Sequence, residues 1–201
     1  ISSSTPSGAK QLIKLAIFNA NQVIENKIGK SDKYSHAMQN LAQYLGLENT
    51  DLFIEGYDVS HHAGKYAVAS RVKFSNKGPE KKFYKLYNIP INFAGNDIGS
   101  IENILERRVN RAAEDFLPDI ILIDGGKAQL NSAIKVFKQK CKYQPIILSI
   151  VKGANRVRAT ETILSEKGIL EIPTNSPGFN LLQQIRDESH RFAINNNRKK
   201  K

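Results

Sequence analysis

The chain has 201 residues, of which 40% are hydrophobic and 24% charged, and these proportions exclude a disordered chain and favour a globular protein with a sizeable core. Lys and Arg number 30 against 19 Asp and Glu, and the resulting formal charge of +11 attracts polyanions such as nucleic acid. No apolar run approaches the ~20 residues of a membrane span, and the single cysteine, Cys141, excludes an intramolecular disulfide. We therefore expect a cytoplasmic protein with no membrane segment. The lack of an initiator Met suggests a piece of a longer protein.

The first half of the chain predicts helices followed by strands. Apolar residues recur at helical spacing from Ala9 to about Lys27, and a second helix is predicted over residues 33–45. The segments LFIEGYDVS, KYAVASRVKF and KFYKLYNI then have the composition and alternation of strands joined by short connections. The pattern predicts a helical lead-in at residues 1–50, followed along the chain by an antiparallel three-strand meander.

Helices and strands alternate in the second half. Asn96 or Asp97 can cap a helix running to about Glu114. The strand PDIILID precedes a helix at residues 127–138, and the strand QPIILSIV precedes a loop or hairpin and a last helix at residues 177–194. A meander followed by alternating elements predicts an α/β fold with a mixed five-stranded sheet flanked by helices. We assign residues 51–197 to this domain and residues 198–201 to a basic tail.

Two carboxylates are predicted to meet at one edge of the sheet. Asp124 ends the apolar run IILI, and Asp58 lies within or at the end of the first strand. If these strands are neighbours, their carboxyl ends share an edge, where function gathers in such sheets. Carboxylates held close together repel, and a divalent cation such as Mg²⁺ or Mn²⁺ is the simplest compensation. On one motif alone, an Asp followed by Gly more often marks a turn.

Small and basic residues follow Asp124 directly. Gly125 and Gly126 would let a substrate backbone approach the cation, and Lys127 would supply positive charge for a phosphate. The full G-x-x-x-x-G-K-[ST] pattern of a nucleotide-binding loop is missing, so nucleotide binding is disfavoured. The further cations expected to contact a nucleic-acid backbone are Lys152, Arg156, Arg158, Arg186 and Arg191.

His190 lies off the apolar stripe of the last helix. At about 100° per residue, the stripe consists of Leu181, Leu182, Ile185 and Phe192, whereas His190 shares a face with Gln183, Arg186 and Asp187. A core histidine is therefore disfavoured. A metal ligand, a base with a pKa near the ordinary 6.5 and a solvent-facing side chain all stay open. Ser60 and His61, which follow Asp58 closely, are interpreted as residues that order the site.

Four blocks of the chain resemble successive blocks of the C-terminal half of the UvrC family. They are YDVSHHAG, GNDIGSIENILERR, PDIILIDGGKAQL and NSPGFNLLQQIRDESHRFAI, and they run in order from about residue 50 to residue 200. The resemblance implies a ribonuclease H-like fold with two aspartates and a histidine around a divalent metal. These residues fall on Asp58, Asp124 and His190, and a further acidic position falls on Asp97. Val59 and Ala128 depart from the usual Ile and Gly without touching a proposed ligand.

The resemblance also implies a function. It indicates a DNA endonuclease that makes the 5′ incision of bacterial nucleotide excision repair, acting on damaged double-stranded DNA. The partner implied is UvrB, bound through a segment not recognisable in this chain. Two alternatives stay open, a ribonuclease H-type enzyme acting on RNA–DNA hybrids and a nucleic-acid-binding module without catalysis.

Overall fold

The computed structural model describes residues 7–62, 66–93, 95–152 and 161–198. In that part of the chain the helices are α1 (Ser7–Leu45), α2 (Asp97–Val109), α3 (Lys127–Lys140) and α4 (Pro177–Arg198). The strands are β1 (Ile54–His62), β2 (Tyr66–Ser75), β3 (Gly78–Pro79), β4 (Lys85–Asn88), β5 (Ile120–Asp124), β6 (Ile146–Lys152), β7 (Glu161–Ser165) and β8 (Gly168–Ile169). No helix among these residues is long and apolar enough to span a bilayer.

All the strands belong to one mixed sheet in the order β3-β2-β1-β5-β6-β7-β8, with β4 also paired to β2. Strands β1, β5 and β6 are parallel neighbours, and antiparallel strands flank them on both sides. Because helices cover both faces, β5 is buried on both sides along its apolar run Ile120–Ile123, whereas β1 carries the buried carboxylates Glu55 and Asp58. This arrangement brings the carboxyl ends of β1 and β5 to one edge.

Each face of the sheet carries its own hydrophobic core. On one face, α1 and α4 pack over residues that include Ile54, Leu122 and Leu148. On the other face, α2 and α3 pack over residues that include Ile121 and Ile123. The fold is therefore three layers, with the sheet between two helix pairs, and consecutive residues of β5 point alternately into the two cores.

The strand count is higher than predicted, although the fold class agrees. The predicted third strand, KFYKLYNI, contains the end of a 3₁₀ turn at Lys81–Phe83 and the strand β4, and the short strand β3 precedes it. The described part of the predicted loop or hairpin contains the hairpin β7–β8, whose turn places Gly168 at φ +116°. A residue with a side chain is strained at that angle, so the glycine favours the hairpin.

Two helix boundaries also differ from the predictions. Residues 7–45 form one continuous helix rather than two, since a single interior glycine, Gly29, costs only about 1 kcal/mol relative to Ala. Helix α2 stops at Val109, and turns follow up to Glu114. Its predicted cap is confirmed, because the Asn96 side chain accepts a hydrogen bond from Gly99 N–H. The predicted division at residue 50 stays a prediction, although Met38 and Leu41 of α1 are fully buried in the core.

Candidate metal centre

Asp58 and Asp124 are brought together by the parallel register of β1 and β5. Tyr57 pairs with Ile123, so the next residue along each strand is one of the two aspartates. Both side chains point to the face covered by α4, because side chains alternate along a strand and Ile54 and Leu122 of these two strands lie in that core. The two strands are neighbours, which is the condition under which the sequence predicts that the two carboxylates meet.

His190 reaches the same place from α4. Its Nδ1 lies 3.3 Å from Asp58 Oδ2, and one ligand atom from each of His190, Asp58 and Asp124 lies within 4.8 Å of the other two. The helix is tied to the sheet one residue earlier, where the buried Ser70 hydroxyl of β2 donates to the Ser189 carbonyl at 2.8 Å. The Asp58 side chain is 7% exposed and that of His190 is 56% exposed, so the cluster is open to solvent on the helix side.

The electrostatics of the cluster follow from burial and like charge. Burial and then the nearby Asp58 carboxylate raise the pKa of Asp124 above its ordinary value, and Arg186, Lys152 and His190 act in the opposite direction. Two carboxylates at this separation favour a bound cation, which removes their repulsion. The donor set of two carboxylate groups and one imidazole is one that divalent metals accept. The three side chains therefore fit a divalent metal ion.

The loop after Asp124 is held by two side chains that sequence reasoning missed. Gln129 Oε1 accepts a hydrogen bond from Gly126 N–H at 2.6 Å, and the Ser149 hydroxyl of β6 donates to the Gly125 carbonyl. A Cβ on Gly125 would lie 2.8 Å from Cδ of Gln129, so the glycine makes room for this contact. Close approach of a substrate at Gly125 and Gly126 stays a prediction. Lys127 is exposed at the first position of α3.

The other predicted site residues lie in several environments. Asp97 is exposed in the first turn of α2 and is not part of the three-residue cluster found among the described residues. Lys152 is exposed at the end of β6. Arg191 is paired with Glu188 at 2.7 Å, with a 54% exposed side chain. Arg156 and Arg158 lie outside the described residues, as do the side chains of Ser60 and His61, so their roles stay predictions.

Arg186 is held inside the protein rather than extended into solvent. Its guanidinium pairs with Glu161 at the start of β7 and with Asp187, and its side chain is 13% exposed. The predicted contact of Arg186 with DNA is untested. The sequence analysis did not identify Glu161 as a site residue, because its partners are on α4, more than 20 residues later, and no local sequence pattern predicts the contact.

A family model and curated proteins match most of the chain. The family described as the UvrC RNAse H endonuclease domain matches residues 42–194. The chain is similar to UvrABC system protein C of Pseudomonas syringae pv. syringae, with 38% identity over 189 residues that cover 92% of this chain and 31% of that protein. It is 36% identical to the Vibrio parahaemolyticus protein of the same name, over 98% of this chain and 33% of that one. The chain thus spans about a third of the length of these relatives.

Solved structures overlap less closely. Human ENDOV gives a TM-score of 0.40 at 12% identity over 58% of this chain and 53% of that one. Ciona intestinalis Endonuclease V, in complex with a 23mer DNA containing an inosine followed by a ribo-adenosine, gives a TM-score of 0.46 at 9% identity, over 90% of this chain and 99% of that one. These likenesses are too distant to carry a functional conclusion.

Proposed function

The chain belongs to the family of UvrC RNase H endonuclease domains, and from this premise we propose that it is a divalent-metal-dependent endonuclease domain acting on DNA in nucleotide excision repair. The description of this family as an RNAse H endonuclease domain agrees with the ribonuclease H-like fold expected from the sequence. The observation that carries the proposal is the convergence of Asp58, Asp124 and His190 from three elements to within 4.8 Å. By resemblance, the cut is the incision on the 5′ side of a lesion.

The three side chains have separable roles in this proposal. Asp58 and Asp124 hold a Mg²⁺ or Mn²⁺ ion, which supplies water activation and stabilises negative charge on the reacting phosphate. The contact between His190 Nδ1 and Asp58 orients the imidazole towards the cluster. In that orientation the ring suits either metal coordination or the removal of a proton from water. Asp97 is proposed to tune the site without binding the ion.

The surroundings of the cluster suit a polyanionic substrate. Lys127, at the start of α3, and Lys152, the last residue of β6, are both exposed near this edge, and the chain carries a formal charge of +11. Cations placed so can contact phosphates and hold one strand against the carboxylates. We therefore take damaged double-stranded DNA as the substrate. UvrB is the proposed partner, bound through a segment outside this chain, and the location is cytoplasmic.

A comparison of substrates tests the proposal. With Mg²⁺ or Mn²⁺ and UvrB present, and with the chain joined to the UvrB-binding segment that the family implies, we expect nicking of duplex DNA that carries a single lesion and no cleavage of an RNA–DNA hybrid. Preferential cleavage of the hybrid would instead support a ribonuclease H-type enzyme. Binding of both substrates without any cut, at every metal concentration, would support the non-catalytic module. The chain alone is expected to cut poorly, and efficient lesion-directed nicking without UvrB would contradict that expectation.

A further inference from the structure

Glu161 lies on the same face of the sheet as the metal cluster. In the antiparallel pair of β6 and β7, Lys152 pairs with Glu161 and Ile150 with Ile163, and in the parallel pair of β5 and β6 Ile150 is next to Asp124. Ile150 and Ile163 are buried in the core under α4, so Glu161, two residues from Ile163, points to that face as well. Its side chain is only 9% exposed. A carboxylate so buried needs partners, and both partners found among the described residues come from α4.

The partners of Glu161 share a helix face with His190. Gln183 Nε2 donates to Glu161 Oε2 at 2.8 Å, and the Arg186 guanidinium pairs with Glu161 Oε1. Residues three, four and seven apart lie one above another on a helix, so Gln183, Arg186 and His190 form one row. The contacts with Glu161 therefore fix the part of α4 directly below the histidine.

Arg186 is a cation that competes with a metal ion for the same carboxylates. It lies close enough to Asp124 to act on that carboxylate electrostatically, and it is one helical turn from His190. A guanidinium binds carboxylates through two parallel hydrogen bonds, so an unrestrained Arg186 would find good partners in Asp124 and Asp58. In this structure it is turned instead towards β7: its guanidinium forms an ion pair with Glu161 of β7 and donates hydrogen bonds to Asp187, the next residue of α4.

We propose that Glu161 is a positioning residue for the metal centre: it holds the Arg186 guanidinium against β7 and so keeps that cation out of the space between Asp58, Asp124 and His190. The inference rests on the proposed metal-dependent function. Glu161 itself does not touch the metal or the substrate. Arg186, held in this way, contributes positive potential next to the cluster without occupying it.

A purely structural pair makes a different prediction. If Glu161 and Arg186 only join β7 to α4, then loss of either partner lowers stability, and metal affinity changes only as far as folding does. If Glu161 restrains a competing cation, loss of Glu161 alone weakens metal binding in fully folded protein. Removing Arg186 as well then restores metal binding, because the competitor is gone.

The test is Mn²⁺ binding to the 201-residue chain in the absence of DNA, followed by electron paramagnetic resonance of the free ion. Glu161→Gln, Arg186→Gln and the double variant Glu161→Gln/Arg186→Gln are compared with the unchanged chain, and thermal melting verifies that each is folded. We expect Glu161→Gln to raise the dissociation constant by about tenfold, equivalent to ~1.4 kcal/mol. The double variant is expected to return to within about threefold of the unchanged chain.

Matched variants keep the test decisive. Glu166, in the turn of the β7–β8 hairpin, has a side chain that is 58% exposed and pairs with Lys138 of α3. Glu166→Gln is expected to leave Mn²⁺ binding unchanged. If Glu161→Gln does not fold, Glu161→Asp keeps the charge but shortens its reach, and it is expected to weaken Mn²⁺ binding to a smaller degree.

The outcomes separate this inference from the proposed function. Unchanged affinity in the folded glutamate variants, or a loss that the double variant deepens, overturns the positioning role while leaving the metal centre intact. Absence of Mn²⁺ binding by the unchanged chain overturns the metal centre and the positioning role together. A loss in Glu161→Gln that the double variant reverses supports the inference.

Discussion

Removal of Arg108 should test how strongly the buried charges behind the metal centre stabilise the fold. Arg108 of α2 is 1% exposed and donates to the Glu55 carboxylate, which is fully buried on β1 three residues before Asp58. It also donates to the carbonyls of Asp115 and Phe116, each at 2.8 Å. Arg108→Met would therefore leave Glu55 with less compensation and free the loop after α2.

The expected cost follows from the partners that remain. Breaking a buried ion pair by removing one member costs about 3–5 kcal/mol. Glu55 keeps Arg71 Nη1 at 3.2 Å and the Tyr57 hydroxyl at 2.7 Å, so we expect the lower end, about 3 kcal/mol. For a protein of this size, that loss lowers the melting temperature by roughly 6–12 °C.

Chemical denaturation of Arg108→Met at neutral pH gives the free energy of unfolding directly. The matched control is Arg107→Met, one residue earlier in the same helix, where an exposed guanidinium donates to the Asn88 carbonyl at 3.2 Å and stacks on Tyr87. That control should cost no more than about 1 kcal/mol. If the two variants cost the same, the buried network does not stabilise the fold as described.

Three further predictions concern the metal-centre side of the sheet. Gly56→Ala should destabilise the fold by about 1–3 kcal/mol, because its Cβ would lie 2.4 Å from Cγ2 of Ile185 on α4, whereas Gly29→Ala, with nothing within 4 Å, should be neutral or slightly stabilising in the same melting experiment. Without metal, Asp124→Asn should raise the melting temperature, because the folded-state pKa of Asp124 is raised above its ordinary value of 3.8. The gain in melting temperature should be absent below pH 3.8, grow as the pH rises through the folded-state pKa and persist at higher pH. A gain that is largest in acid would contradict this sign. Lys152→Gln should weaken DNA binding at low salt and reduce the slope of log affinity against log salt by about 1, and an unchanged slope would exclude a phosphate contact at Lys152.

Much of the fold could be predicted because its elements carry local signals. The apolar run before Asp124 predicts a strand buried on both faces, and Asn96 predicts the start of α2; both are found. The short strand β3 and the 3₁₀ turn in the predicted third strand were missed, and the choice between a loop and the hairpin β7–β8 stayed open, because strands of two residues are too short to show a periodicity of their own.

The site residues that lie within recognisable sequence motifs could be predicted, and those outside such motifs could not. Asp58, Asp124 and His190 are in blocks of distinctive sequence, and the structure brings these three together. Glu161 stands at the start of an ordinary strand, and its importance depends on the packing of α4 over β7. The sequence predicts that Arg186 contacts a nucleic-acid backbone, and its charge alone does not reveal that its side chain is largely buried.

The most direct test of the metal-centre proposal is nicking of lesion-containing duplex DNA by the Asp124→Asn chain joined to the UvrB-binding segment that the family implies, with UvrB and Mn²⁺ or Mg²⁺ present. Residues that only orient metal ligands typically cost roughly 10–100-fold when changed, so loss of a ligand should lower the nicking rate by more than about 100-fold. DNA affinity should be kept or raised, because the substitution removes a repulsive carboxylate. Nicking by Asp124→Asn at the rate of the unchanged chain, or equal nicking after chelation of all divalent metal, would contradict the account.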